Sequence, residues 1–457
     1  MSELRVVGAT IVADPERELR DAEIAYSSDT GRVTYLGPVR GPVRSADLDG
    51  TGRLVLPGLV NAHTHAGMSL LRGHSDDEPL DRWLGHIRAF ELRMTRDDIR
   101  AGLLLSMAEM IRSGTVAFAD MYLWDAGLVG DVRDAGLRVL AATAVFGYDA
   151  VAYPAATPET GAQVLDRTST LAAEFAGDEL VQVSFGPHAP YTCGPELLAD
   201  VARRATTHDL PVHIHLSETA GEVRDSLDRN GCSPIALAHR VGLDAGRLHV
   251  AHAVHPHDDA DLAILARPTV SVAHCPVSNL KLGAGVAPVP EFQGSGVCAG
   301  LGTDSMASNN SADMFEEMKT AALVARGTRR DPTAVLAADV VRMATRGGAR
   351  AFGDRLSGRL AVGEPADLIM LDVTAPHATP MPEPVAHLAY SARGSDVTDV
   401  VVAGRRLLAA GRLTTLDEAA IRADVRHRVA RITAELGRAL PSGRRPTRKV
   451  DRGATQG

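Results

Sequence analysis

From Leu54 to about Ser305 the chain repeats one rhythm, a short apolar, β-rich run followed by a longer stretch with helical spacing. Eight runs can be counted: LVLPGLVNAHTH, TVAFADMY, LRVLAATAVFG, LVQVSFGPHAP, LPVHIHLSE, RLHVAHAVH, TVSVAHCPVSN and VCAGLGTDS. Nearly continuous apolar strands joined by crossovers long enough for a helix point to a parallel sheet buried on both faces. Eight such units predict an α/β fold of the (β/α)8 barrel type. Between the runs, residues 95–113 place Ile99, Leu103, Met107, Met110 and Ile111 at helical spacing before Gly114. Residues 313–326 and 332–352 read as further helices.

The two ends have a different texture. Val6-Val7, Ile11-Val12, residues 22–26 and residues 33–36 are short apolar clusters between Gly, Asp and Pro, and strand character returns in 356–371 and 399–413. The expected organisation is a smaller β-sandwich from residues 1–53 and 356–415, with the barrel, 54–355, inserted between them. Residues 416–457 read as a C-terminal helix and a disordered tail, which from Leu440 is rich in Pro, Gly and Arg. At 457 residues the chain exceeds one ordinary core, and a hydrophobic content of 45% with 23% charged residues fits a globular protein. A net charge of −9 argues against nucleic acid as partner, since a phosphate-binding surface needs a basic excess. Cys193, Cys232, Cys275 and Cys298 are scattered without a C-x-x-C and read as reduced thiols. With no basic-then-apolar leader and no apolar run near the roughly 18 residues of a membrane span, the expectation is a cytoplasmic protein without a membrane partner.

The chemistry gathers at the C-terminal ends of the runs, where barrel enzymes build their sites. The first run ends His63-Thr64-His65, and residues two apart on a strand project together. Alone, His-x-His arises easily by chance. Its weight comes from His188 in the fourth run, His215 and Glu218 in the fifth, His252 in the sixth and Asp304 in the eighth. His63, His65, His215 and Asp304 would make a three-histidine, one-carboxylate site for a single divalent metal, which lowers the pKa of water toward neutrality. Asp304 could accept that water's proton. Glu218, just past its strand, could shuttle a proton to the substrate, and His252 could hydrogen-bond the developing charge.

Blander readings apply elsewhere. His213 reads as a barrel-interior histidine with a hydrogen-bond partner. His249 should point away from the face carrying His252 and be structural. His239, His255 and His257 read as loop or helix-surface residues, and His274 as lining or packing near the pocket. Asp120 could cap a loop or support the site, the former preferred. Trp83, Trp124, Tyr148, Tyr153 and Tyr191 are candidates for the pocket wall, with plain packing as the alternative.

The phrases LPGLVNAHTHAGMSLLRG, GPHAPYTCGPELL, VHIHLSET, HVAHAVH, SNLKLGAGVAPV and LGTDSMASNN, with VGEPADLIMLD and VVVAGRRLL outside the barrel, resemble the amidohydrolase superfamily over nearly the whole chain. The resemblance is to the S-adenosylhomocysteine/5'-methylthioadenosine deaminase group, with guanine deaminase and the s-triazine hydrolases as cousins. It implies one Zn²⁺, or Fe²⁺, on His63, His65, His215 and Asp304, with Glu218 protonating the ring nitrogen and His252 polarising the attacking water. Two-metal relatives bridge their ions with a lysine at the end of the fourth strand. The three lysines here, Lys281, Lys319 and Lys449, lie elsewhere, so one metal and a deaminase-type reaction are expected. PLDRWLGHIRAFELRMT resembles the segment whose glutamate binds ribose hydroxyls, which gives Glu91 that role, and His188 matches a substrate-contacting histidine. The third run departs: Thr143 stands where homocysteine-binding members carry an arginine, and a bidentate grip on a carboxylate is lost. The expected substrate is therefore an adenosine-type nucleoside or related purine without a carboxylate. The alternatives are an s-triazine-type or guanine hydrolase and, against the intact ligand set, a non-enzymatic scaffold. Homo-oligomers are common among the resembling enzymes.

Overall fold

The computed structural model describes residues 3–44, 47–78 and 80–439. The expected tail from Leu440 lies outside them. Eight parallel strands form one sheet in chain order: β1 (Leu59–Thr64), β2 (Thr115–Tyr122), β3 (Arg138–Val145), β4 (Val181–Pro187), β5 (Val212–Leu216), β6 (Leu248–His252), β7 (Val270–His274) and β8 (Ala299–Leu301). The sheet closes on itself where Asp304 N donates to His63 O at 2.9 Å and Thr64 pairs with Asp304. β1 to β7 are buried along their full length, as expected of strands covered by helices outside and filled inside. The glycines at the seam are there for space. A Cβ on Gly302 would meet His63 N at 2.7 Å, and one on Gly348 would meet Val60 O at 2.8 Å.

The chain ends build a second sheet. Its path runs Arg412–Leu413, Arg405–Ala409, Val397–Val402, Leu368–Asp372, Arg53–Pro57, Glu3–Asp14, Arg17–Ser27 and Arg32–Pro38, with Leu48–Asp49 also paired to Glu3–Asp14. As expected, both chain ends join in one smaller β domain, its strands hydrogen-bonded in a continuous, mostly antiparallel path around a core of Val6, Ile11, Ile24, Tyr26, Val55 and Leu368. Val6-Val7 and Ile11-Val12 belong to a single strand, irregular around Gly8.

The first run is divided between the two sheets. Arg53–Pro57 pairs with Leu368–Asp372, and the barrel begins at Leu59. The crossing falls at Gly58, where a Cβ would meet Val116 at 2.1 Å. The expected boundary at Leu54 was set by apolar continuity, which both sheets supply.

The helix expected over 95–113 is Arg96–Arg112, capped by Thr95, and that over 313–326 is Met314–Arg329, capped by Asp313. The expected helix 332–352 is instead broken. Ala337–Arg342 is α-helical, Met343–Gly347 is a π-turn, and Arg350–Arg355 is a 3-10 segment. A wider turn brings Gly347 against β8, where a Cβ would meet Ala299 O at 2.2 Å. Glu418–Ala439 is the C-terminal helix. No helix among the described residues is long and apolar enough to cross a membrane.

Candidate metal centre and active site

Three imidazoles converge inside the mouth of the barrel. His215 Nε2 lies 3.2 Å from His63 Nε2 and 3.3 Å from His65 Nε2. Asp304 Oδ1 sits 3.4 Å from the first strand's inner histidine, His63, and 3.3 Å from His65. Each ring is fixed from behind through Nδ1: His215 donates to His188 O at 2.8 Å, His65 to Met121 O, and His63 pairs with His213 Nε2 at 2.9 Å. Rings bonded through Nδ1 turn their Nε2 lone pairs inward, the arrangement that fits a cation. The set of His63, His65 and His215, and that of His63, His252 and Asp304, each bring their donor atoms within 4.8 Å of one another. Burial pushes His63 down to about 3 and His215 well below the ordinary histidine value, which favours neutral rings able to ligate. At His65 burial is outweighed by Asp304, which raises the ring to about 9, a proton that a bound cation would displace. Burial opposes ionisation of Asp304, but His63 and His65 hold it well below the usual carboxylate range. Ser278 and Ser308 donate to its Oδ2 at 2.6 and 3.0 Å and leave Oδ1 facing the rings.

His252 and Glu218 stand beside this cluster. His252 Nε2 is 3.9 Å from Glu218 Oε2, and its Nδ1 bonds Asn279 Oδ1 at 3.0 Å. His252 and Asp304 have left-handed backbones, with φ of 73° and 60°. Such φ values cost energy in non-glycine residues and gather at functional sites. They also explain a correction. His249 does not point away from the site's interior face: it bonds Ala62 O at 2.6 Å and Ser271 Oγ at 2.8 Å, beside His213. Strand parity alone puts His252 on the opposite face, but its backbone turn brings the side chain back in. Glu222, one helical turn beyond Glu218, accepts from Ser217 N and Glu218 N and so fixes the loop that carries Glu218. Asp120 accepts from Thr64, Ala66 and Trp124, which secures the loop after His65.

A cavity of about 610 Å³ opens onto these groups, and His65, His188, His215, Glu218, His252 and Asp304 all face it. Its far wall is helix Leu80–Glu91, through Trp83, Ile87, Arg88 and Glu91. Glu91 accepts from Tyr122 Oη at 2.8 Å, and burial raises its carboxyl pKa. His188 stacks on Phe146, 4.6 Å between centroids. Trp83, Tyr153 and Tyr191 line the cavity, Trp124 is buried against Asp120, and Tyr148 lies outside the wall. Thr143 is not in this wall either. It is buried in an adjoining recess, and Ala144 and Phe146 represent the third strand here. His274 is buried with no partner for its Nδ1 and does not line the cavity. Tyr122, Phe146, Arg88, Ser278, Ser308 and Asn279 were not singled out from the sequence. Ser278 and Asn279 lie in SNLKLG, Ser308 in LGTDSMASNN and Arg88 in PLDRWLGHIRAFELRMT, phrases that carried the family resemblance without pointing to these residues.

A family model described as the amidohydrolase family matches residues 54–407. The chain belongs to the amidohydrolase family. Members of this family are typically divalent-metal enzymes, and the donor set described above fits such an ion. A 5-methylthioadenosine/S-adenosylhomocysteine deaminase of Haloarcula marismortui is 40% identical over 440 residues, 96% of this chain and all of that one. A 5'-deoxyadenosine deaminase of Methanothermobacter thermautotrophicus is 43% identical over 372 residues, 81% of this chain and 86% of its own length. The solved structure of an adenosine deaminase from Xanthomonas campestris with bound zinc is 36% identical, with a TM-score of 0.88 over 94% of this chain and 98% of that one. This amidohydrolase therefore acts on a small molecule at a carbon–nitrogen bond.

Proposed function

We propose that this amidohydrolase is a hydrolytic deaminase of adenosine-type nucleosides, with one divalent ion, zinc in preference to iron(II), on His63, His65, His215 and Asp304. The observation that carries the reading is the convergence of three Nδ1-anchored imidazoles and one carboxylate on a point at the floor of a nucleoside-sized cavity. An imidazole-rich set with one carboxylate suits zinc. The names borne by the Haloarcula and Methanothermobacter relatives support the substrate class. When bound, the ion supplies Lewis acidity that makes water nucleophilic near neutral pH.

The chain's own groups do the rest. Asp304, oriented by Ser278 and Ser308, takes the proton of the attacking water. Glu218 delivers a proton to the ring nitrogen beside the amino-bearing carbon, which spares that nitrogen from becoming an anion as the carbon turns tetrahedral. His252, held by Asn279, directs a hydrogen bond at the attacking oxygen. The carbon then loses its amino group, which leaves as ammonia with the proton Asp304 took from water, and the remaining hydroxyl proton returns to Glu218 as the carbonyl forms. Glu91 holds the ribose hydroxyls and His188 contacts the substrate.

The test is ammonia release, with loss of the adenine absorbance, across a panel of adenosines and other aminated purines and pyrimidines. Glu218→Gln should keep its metal and lose about 10²- to 10⁴-fold in kcat. His215→Ala should lose both metal and activity. Silence of the wild type across the panel rejects the substrate class, and normal turnover by Glu218→Gln rejects the proton-delivery role.

A further inference from the structure

We propose that Arg88 is a specificity residue that grips a carboxylate on the 5' side of the nucleoside, from a different element than the third strand, where the sequence has Thr143. Arg88 faces the cavity, half-buried, and is its one arginine or lysine among the described residues. Its guanidinium has no hydrogen-bond or ion-pair partner among them. Its charge acts on Glu91 and Tyr153 of the same wall. The surroundings are mostly apolar: Met68, Trp83, Ile87, Phe146, Val151 and Tyr153. Glu91 supplies a nearby charge but accepts no hydrogen bond from Arg88, so the guanidinium's donors remain free for a bound anion.

The placement follows from the helix. Arg88 and Glu91 are three residues apart on Leu80–Glu91 and so share a face, about one turn from each other. This assignment rests on the deaminase reading, in which the amino-bearing ring lies at the histidine cluster and the ribose at Glu91. A group one turn beyond Glu91 then meets the substituent on the ribose 5' carbon. A guanidinium matches one carboxylate with two parallel hydrogen bonds. A dianionic phosphate would be left half-compensated beside Glu91, so the assignment is to a monoanion. Thr143 therefore does not exclude an amino-acid-bearing nucleoside. That side chain is outside the cavity wall, and Arg88 is the cation the wall carries.

The experiment compares kcat/KM of the metal-loaded full chain for 5'-methylthioadenosine, S-adenosylhomocysteine and adenosine 5'-monophosphate. Arg88→Gln should lower the ratio of S-adenosylhomocysteine to methylthioadenosine by about 10- to 100-fold, mostly through KM. Arg88→Lys should restore part of that ratio, whereas Arg82→Gln, exposed on the same helix, should leave it alone. Metal content of each variant checks that the fold persists. An unaltered ratio in Arg88→Gln overturns the assignment while leaving the deaminase reading intact. So does a wild type that prefers the phosphate or ignores the carboxylate substrate. Silence with all three nucleosides overturns the assignment, and only silence across the wider panel of aminated purines and pyrimidines removes the deaminase reading as well.

Discussion

Each imidazole at the centre of this amidohydrolase is aimed by a partner on its other nitrogen, and those partners are the least conspicuous residues of the site. His252 illustrates this. Its Nε2 faces Glu218 only because Nδ1 is tied to Asn279 Oδ1, while the backbone sits in a left-handed conformation that strand geometry alone would not hold. Removing the amide frees the ring to rotate and to change tautomer. Asn279→Ala should therefore lower kcat by about 10- to 100-fold, with metal content and the KM for a neutral nucleoside little altered. Asn279→Asp, which still accepts from Nδ1–H, should recover much of the loss. A kcat in Asn279→Ala equal to wild type would leave His252 without need of its partner. The Asn279–His252 contact spans 27 residues, and nothing in local sequence spacing points to it.

At the scale of elements, the closure of the barrel places the metal cluster. β8 has only three residues, and the chain leaving it, residues 302–304, passes so close to β1 that a Cβ at 302 would meet His63 N at 2.7 Å and His63 Cβ at 2.9 Å. Gly302→Ala should therefore push His63 and Asp304 apart and weaken metal retention by tenfold or more, about 1.4 kcal/mol, with the circular dichroism spectrum kept. Chelator competition measures it, and unchanged retention would mean that β1 yields to the methyl. The eight-run rhythm made these strands legible, because apolar continuity and terminal histidines are local properties. The seam was not legible, since close approach of β8 to β1 depends on packing between residues some 240 apart in sequence. The division of the first run at Gly58 was hidden for a related reason: an apolar strand reads the same whichever sheet it joins. The break in 332–352 likewise answers to Gly347 and Gly348 pressed against the barrel, a tertiary demand that helical spacing does not record.

For the molecule as a whole, the sheet built from both chain ends and the metal centre share one strand path. Arg53–Pro57 is a central strand of that sheet, and one residue later the chain becomes β1 with His63 and His65 at its end. Loosening the sheet should therefore release the metal. The sheet's own weak point is electrostatic. Glu23, with no exposed surface, takes Arg5 Nε and Nη2 at 2.8 and 2.7 Å and Arg40 Nε and Nη2 at 2.9 and 2.7 Å. Burial opposes its charge, but Arg5 and Arg40 hold it down to about 2, against 4.5 for a free glutamate. A carboxyl with a depressed folded-state pKa stabilises fully above the unfolded value and loses that contribution as pH falls through the folded one. The window here is from about 4.5 to about 2. Glu23→Gln leaves Arg5 buried without its main counter-charge and should cost about 3 kcal/mol at pH 7. In urea at that pH, loss of secondary structure and capture of metal by a chromogenic chelator should share one midpoint, and the variant should move both down together. Between pH 4.5 and 2 its stability should fall less steeply than that of the wild type. If the variant unfolds earlier by circular dichroism yet surrenders metal at the wild-type midpoint, the barrel holds its centre without help from the chain ends, and the strand path through Gly58 carries no mechanical coupling.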